Sequence, residues 1–314
     1  MAESTIILIP VYNDETSLNI LLAELSKNLV LPAGATYKVL VVDDGSTEKL
    51  SIKTPATLPV TILHLQRNIG HQKAIAIGLA YIKENIACDK VLVMDSDGED
   101  RPEDAAALLA ASGEQQGRII FAKRSSRKEG QGFRFFYRLY KLAFRVLTGK
   151  KIAFGNFLVM PVPVLEKAVH YSEIWNHVAG GLIRSGLPYT SIATHRGKRY
   201  SGQSKMNFHS LLMHGLGAIA VFIEVIASRL LIFSLILIGI SLLTILLLVG
   251  IRAFTDLAIP GWTSTVASAM LIILLQSFLL SLFTIFLYLS SQSQRKFIPA
   301  HHYKEYTGSA ETIQ

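Results

Sequence analysis

Short apolar runs and longer amphipathic ones alternate through the N-terminal part of the chain. The runs "STIILIPVY", "YKVLVVDDGS", "VTILHLQ" and "KVLVMDSD" are apolar at successive positions, so each predicts a strand covered on both faces. Between them, "SLNILLAELSKNL" and "HQKAIAIGLAYIKEN" repeat apolar residues at three- and four-residue steps, the period of a helix with one buried face. Strands and helices alternating at this spacing predict βαβ units, and hence an α/β domain with a mostly parallel sheet. No internal repeat and no low-complexity linker breaks the pattern.

The C-terminal part has a different pattern. Leu230–Ile251 and Val266–Leu289 are uncharged and apolar all round, and each exceeds the roughly 20 residues needed to cross the bilayer's hydrocarbon. Pro260, Gly261 and Trp262 between them suit a turn with an interfacial aromatic, so the pair predicts a transmembrane hairpin. The segment before it is apolar but interrupted by His214 and Glu224, which suits an interfacial helix better than a third span. The expected organisation is a catalytic domain over 1–208, an interfacial amphipathic helix over 209–229 and spans over 230–251 and 266–289. The loop 252–265 lies between the spans, and a tail over 290–314 follows.

Composition agrees with a partly membrane-embedded chain: 314 residues are 50% hydrophobic with mean hydropathy +0.38. The six-residue apolar run near the N-terminus follows Glu3 and lacks a cleavage site, so no signal peptide is expected. Arg295 and Lys296 after the second span place both termini on the cytoplasmic side by the positive-inside bias, with 252–265 outside. A lone Cys88 suits a reducing compartment. The net charge of +8 suits anionic lipid, a phosphorylated substrate or nucleic acid, and does not choose among them.

In open parallel sheets ligands bind beyond the carboxyl ends of the strands. The polar clusters "PVYND", "DDGS", "RNIGH" and "DSDGED" all fall there. Taken alone, "DDGST" is accounted for by a turn at Asp44 and Gly45. A helix start accounts for Pro102, Glu103 and Asp104, with Asp100 just before it. Asp95, Asp97 and Glu99 precede that helix and crowd three negative charges together. Mg²⁺ or Mn²⁺ shared with substrate phosphates would neutralise them.

In that order, "IPVYND", "VLVVDDGST", "RNIGHQKAIAIGL", "VMDSDGED", "FGNFLVMP" and "RYSGQSK" resemble membrane-anchored family 2 glycosyltransferases, of the dolichol-phosphate mannose synthase and polyprenol-phosphate glucosyltransferase type. The resemblance covers nearly the whole chain. It implies the GT-A nucleotide-sugar fold and a nucleoside-diphosphate sugar donor. By the same resemblance, Pro10, Tyr12 and Asp14 cradle the nucleobase and ribose, and Asp43 contacts the nucleoside. Asp95 and Asp97 match the DxD motif, and Glu99 stands where a metal-binding Gln is common. Asn68 and Gly70 match an "RNxGK" segment in which His71 replaces the usual Lys.

Two basic stretches bear on the acceptor. Arg134, Arg138, Lys141 and Arg145 form one cationic helix stripe among aromatics, a pattern shared by solvated helices, membrane-surface helices and single-strand nucleic-acid sites. The neighbouring spans favour lipid over nucleic acid. From Ile174 to Ile223 there is no Asp or Glu, while Arg199 and Lys205 fall within the stretch. A hydroxyl acceptor needs a base; a phosphate is already ionised and needs cations to hold it. The expected reaction is therefore inverting transfer onto polyprenyl phosphate at the cytoplasmic face of the inner membrane, with Arg199 and Lys205 on the acceptor phosphate. The alternatives are a hydroxyl acceptor with Glu173 or Asp100 as base, and a catalytically inactive nucleotide-sugar sensor.

Overall fold

The computed structural model describes the chain apart from residues 1–2, 30–34, 56, 125–130, 151–153, 203–214, 256–260, 294–295 and 314, and gives the backbone alone over 131–137. Lys205, the Arg134 side chain and most of the loop joining the two apolar segments lie outside the described residues. The chain divides into two compact units. One comprises Met1–Lys141, Lys151–Val221 and Lys296–Gln314; the other comprises Leu142–Lys150 and Phe222–Arg295.

The four apolar runs form β1 (Ser4–Val11), β2 (Thr36–Asp43), β3 (Val60–Leu65) and β4 (Lys90–Val93), which pair in parallel in the order β3-β2-β1-β4. Three further strands extend the sheet beyond β4: β5 (Ile119–Arg124), β6 (Leu158–Pro161) and β7 (Tyr189–Thr194). β6 runs antiparallel between β4 and β5, and β7 closes that edge parallel to β5. At the opposite edge β8 (Thr307–Ile313) pairs antiparallel with β3, giving the order β7-β5-β6-β4-β1-β2-β3-β8. The sheet is thus mixed but mostly parallel, within an α/β unit.

Helices cover both faces, as the two-sided apolar runs require. α1 (Glu15–Asn28) buries Leu18, Leu21, Leu22 and Leu25, one face at helical period, against Ile7, Ile9 and Val41. Each such buried leucine contributes on the order of 2 kcal/mol. α3 (Pro102–Glu114) packs on the same side through Ala105 and Leu108, and its proline sits in the first turn as the sequence predicts. α2 (His71–Asn85) lies on the other face. Its Gly78 allows the close approach: a Cβ there would stand 2.5 Å from Leu8 Cδ1 and 2.8 Å from Val42 Cγ2. Because β1 lies between β2 and β4, with crossover helices on opposite faces, a crevice opens at the carboxyl ends of β1 and β4.

In the second unit, Ile223–Phe254 and Trp262–Ser293 form two 32-residue helices, each long and apolar enough to cross a bilayer. Both run past the apolar stretches 230–251 and 266–289: the first takes in the flanking Glu224, Arg229 and Arg252, and the second takes in polar residues such as Thr263, Ser264 and Ser290. Val221 and Phe222 form a turn, and Ile223–Arg229 continue directly into the first apolar helix. No separate helix ends at 229. The 209–214 part of the expected interfacial segment lies outside the described residues. Within this unit Phe144 packs edge-on to Phe222 at 5.7 Å, and Ser281 Oγ donates to Ser234 Oγ at 2.8 Å between the two long helices.

The sequence reading gave residues 290–314 no structure. Instead, Phe297 stacks on Trp175 at 3.8 Å and Tyr306 packs edge-on to both rings. The chain leaves the first unit at Val221 and rejoins it at Lys296.

Candidate active site

The loops following β1, β2 and β3 are tied together by short side chains. Asn13 adopts φ 49, a left-handed conformation that Asn tolerates, and its Oδ1 accepts from Thr47 N at 2.9 Å and Thr47 Oγ1 at 3.1 Å. Its own N–H donates to Ser46 Oγ at 3.0 Å. Pro10 is the penultimate paired residue of β1, Tyr12 is exposed, and Asp14 stands at the start of α1 without a side-chain cap bond. Asn13, which sequence reasoning passed over, thus joins "PVYND" to "DDGST"; the signal available was its position among turn-forming residues.

Asp43 ends β2 and is buried. Its Oδ1 accepts from Ser46 N at 3.0 Å and its Oδ2 lies 2.9 Å from His64 Nδ1. Asp44 is buried too and clamps the next loop, accepting from Ile69 N at 2.8 Å and Gly70 N at 2.9 Å. Burial pushes the Asp44 carboxyl above its usual value, and those two N–H bonds oppose it. Gly45 has φ +70, and a Cβ there would stand 2.5 Å from Asn68 N, so only glycine lets the two loops touch. Asn68 is exposed on this loop, and Gly70, at φ 95, opens α2. Beyond a turn, then, the Asp44–Gly45 pair builds the contact between loops.

After β4 the acidic cluster meets four cationic side chains from three segments. His71 Nε2 lies 3.2 Å from Asp95 Oδ1. Burial disfavours the imidazolium of His71, but the Asp95 carboxylate outweighs it and raises the pKa above the ordinary histidine value. Arg199 Nη2 donates to Asp97 Oδ2 at 2.6 Å, and Asp97 Oδ1 accepts from Glu99 N at 2.8 Å. Burial, reinforced by Asp95, still holds the Asp97 carboxyl above its usual range. Arg196 grips Glu99 with two bonds of 3.1 and 2.7 Å, and Arg124 at the end of β5 bridges Glu99 at 3.3 Å and Asp100 at 2.9 Å.

The basic segment is stitched backbone to backbone onto the acidic one. Gly197 N donates to Glu99 O at 2.9 Å, Tyr200 N donates to Asp97 O at 3.0 Å, and Asp100 pairs with Arg196 in a β-bridge. Gly98 has φ +84, and a Cβ on it would stand 2.6 Å from the Tyr200 ring. In this way Arg199, expected at an acceptor phosphate, is placed against Asp97. Asp95 and Asp97 flank the crevice. Glu99, expected beside them as a third metal ligand, is held by two guanidinium groups. Among the described residues no three acidic, histidine or cysteine groups converge as a metal site of their own.

Both candidate bases are engaged by arginine. Asp100 is 2% exposed, bonded to Arg124 and to Asp95 N, and burial with the nearby Asp95 charge holds its carboxyl well above the usual range. Glu173 lies 3.7 Å from Arg184 and accepts from Ser172 Oγ at 3.2 Å.

The sheet is mostly parallel, and Asp95 and Asp97 follow β4 at its switch point. Residues 6–164, half the chain, match Glycosyl transferase family 2, and the chain belongs to that family. It is a glycosyltransferase. An uncharacterized glycosyltransferase of Bacillus subtilis strain 168, YkcC, is 27% identical over 274 residues, covering 84% of this chain and 82% of its own. The undecaprenyl-phosphate 4-deoxy-4-formamido-L-arabinose transferase of Enterobacter sp. strain 638 is 26% identical over 219 residues, 66% of this chain and 63% of its own. Among solved structures, glucosyl-3-phosphoglycerate synthase from Mycobacterium tuberculosis, in complex with Mn²⁺, UDP-glucose and phosphoglyceric acid, superposes with a TM-score of 0.51. It is 13% identical and covers 71% of this chain and 80% of that one. The fold is GT-A.

Proposed function

We propose that this glycosyltransferase moves one sugar from a UDP- or GDP-sugar to polyprenyl phosphate, with inversion, at the cytoplasmic face of the inner membrane. The observation that carries this reading is the basic Arg196–Tyr200 segment laid along the DxD loop, with Arg199 on Asp97. A cation beside Asp97 would serve two phosphates, one of the donor and one of the acceptor, that have to be held close together. Relatives acting on undecaprenyl phosphate and two helices long enough to cross a bilayer support a lipid acceptor. The buried, bonded Asp100 and the paired Glu173 argue against a hydroxyl acceptor that needs a base.

Asp95 and Asp97 fit a Mg²⁺ or Mn²⁺ that takes one or two carboxylates from the protein and its other ligands from substrate phosphates. The bound ion would stabilise charge on the leaving diphosphate as a Lewis acid. Glu99 serves the site differently, by fixing Arg196 and Arg124. Arg199 is well placed to turn to phosphate once Asp97 is neutralised, since its Nε has no hydrogen-bond partner among the described residues. Pro10, Tyr12, Asp14, Asp43, Asn68 and Gly70 line the donor side, and Lys205 completes the acceptor clamp.

Purified protein in detergent, given radiolabelled UDP- and GDP-sugars with either short-chain polyprenyl phosphate or a neutral glycolipid, tests the proposal. The expected product is a lipid-phosphate sugar, labile to mild acid on thin-layer plates. Label found only in an acid-stable glycolipid would overturn the acceptor assignment.

A further inference from the structure

The strand that returns after the apolar hairpin brings a carboxylate to the donor side. Glu311 on β8 lies with Oε1 3.3 Å from His64 Nε2, and the other nitrogen of that ring lies 2.9 Å from Asp43 Oδ2. The three side chains grade from surface to interior, 43%, 24% and 7% exposed. The register that brings Glu311 there is pinned on both sides. Thr312 Oγ1 meets Thr61 Oγ1 at 3.2 Å, and Gln66 N donates to Tyr306 O at 3.0 Å. Glu311 is the sole charged residue of β8.

We infer that Glu311, acting through His64, holds the Asp43 carboxylate in the orientation that binds the donor nucleoside. The tail strand is then a positioning part of the nucleotide site. With an N–H on each ring nitrogen, the imidazole donates to both carboxylates, which fix its plane, and the ring with Ser46 N fixes both oxygens of Asp43. The inference rests on the donor-side reading of Asp43.

A double-mutant cycle on the full-length protein in detergent tests it, with UDP and GDP as probes in the presence of Mn²⁺ and calorimetry as the readout. For the nucleotide that the wild type binds more tightly, Asp43→Asn weakens affinity, and Glu311→Gln weakens it about three- to tenfold, the span of one orienting hydrogen bond. In the Asp43→Asn background Glu311→Gln changes affinity less than about twofold, because its effect passes through Asp43. The acceptor KM of Glu311→Gln stays that of the wild type. His64→Asn provides a second route to the same cycle if thermal melting shows that Glu311→Gln does not fold. Wild-type affinity in Glu311→Gln beside a weakened Asp43→Asn overturns the inference, as does full additivity in the double variant. Wild-type affinity in Asp43→Asn itself overturns the donor-side reading, and this inference with it.

Discussion

Two neighbouring carboxylates, Asp97 and Glu99, have opposite commitments. Asp97 faces the crevice with Arg199 on one oxygen, whereas Glu99 is enclosed by Arg196 and Arg124. With Asp97 as the metal ligand proposed above, Asp97→Asn is expected to lower turnover about 10³-fold or more. Glu99→Gln is expected to leave the metal requirement nearly unchanged but to cost about 1–3 kcal/mol of stability through weakened charge-assisted bonds. Metal titrations of turnover and thermal melts of both variants separate the two roles; equal loss of metal affinity would return Glu99 to the ligand set. Cys88 offers a second check at this scale. Burial, with Asp89 beside it, pushes its thiol up to about 11, so the thiolate is scarce at neutral pH. Iodoacetamide should modify Cys88 in the folded protein about 100-fold more slowly than in the unfolded chain at pH 7.5. The rate should climb about tenfold per pH unit toward that value.

At the scale of elements, the seam between the two long helices is built from small hydroxyl residues. Ser234, Ser241, Ser277, Ser281 and Thr284 are buried, while the leucines and phenylalanines around them are exposed. That is the distribution expected of helices packed in lipid, where close backbone approach rather than apolar burial drives association. Ser281→Ala should cost only about 0.6 kcal/mol, the typical worth of such a bond in a bilayer. Ser281→Leu should wedge the helices apart and lower the melting temperature in detergent far more. Similar melting of the two variants would mean that the seam is loosely packed.

For the whole molecule, two spans between segments that both belong to the sheet unit are expected to return the chain to the side it left. A cysteine at Gln116 and one at Ser309, each in a Cys88→Ser background, should label from the same side, and one at Trp262 from the opposite side. All three positions are exposed. The proposed orientation puts the first pair at the cytoplasmic face, so impermeant maleimide should reach them in inside-out vesicles and not in intact cells. Opposite sidedness for Gln116 and Ser309 would be incompatible with the strand pairing of β8 and β3.

Much of this architecture depends on local periodicity, and the chain alone determined it. The alternation of two-sided apolar runs with one-sided amphipathic ones specified β1 to β4, α1 and α2, because a strand buried on both faces and a helix buried on one have different repeat lengths. The two apolar helices were legible for the same reason, since their length and lack of charge admit few other environments. The aspartates at the strand ends were legible as a site because charge at that place in a parallel sheet has few structural uses. What only the tertiary structure decided are contacts between residues distant in sequence. Arg124 and Arg196 on Glu99, Arg199 on Asp97 and Glu311 on His64 join positions whose separation carries no periodic signal. The tail strand escaped notice for a related reason: "TGSAETI" is short, polar and glycine-bearing, and it is a strand because the unpaired backbone of the β3 edge supplies its hydrogen bonds. Periodicity reports which face of an element is buried; only the folded chain shows which charge is opposite which.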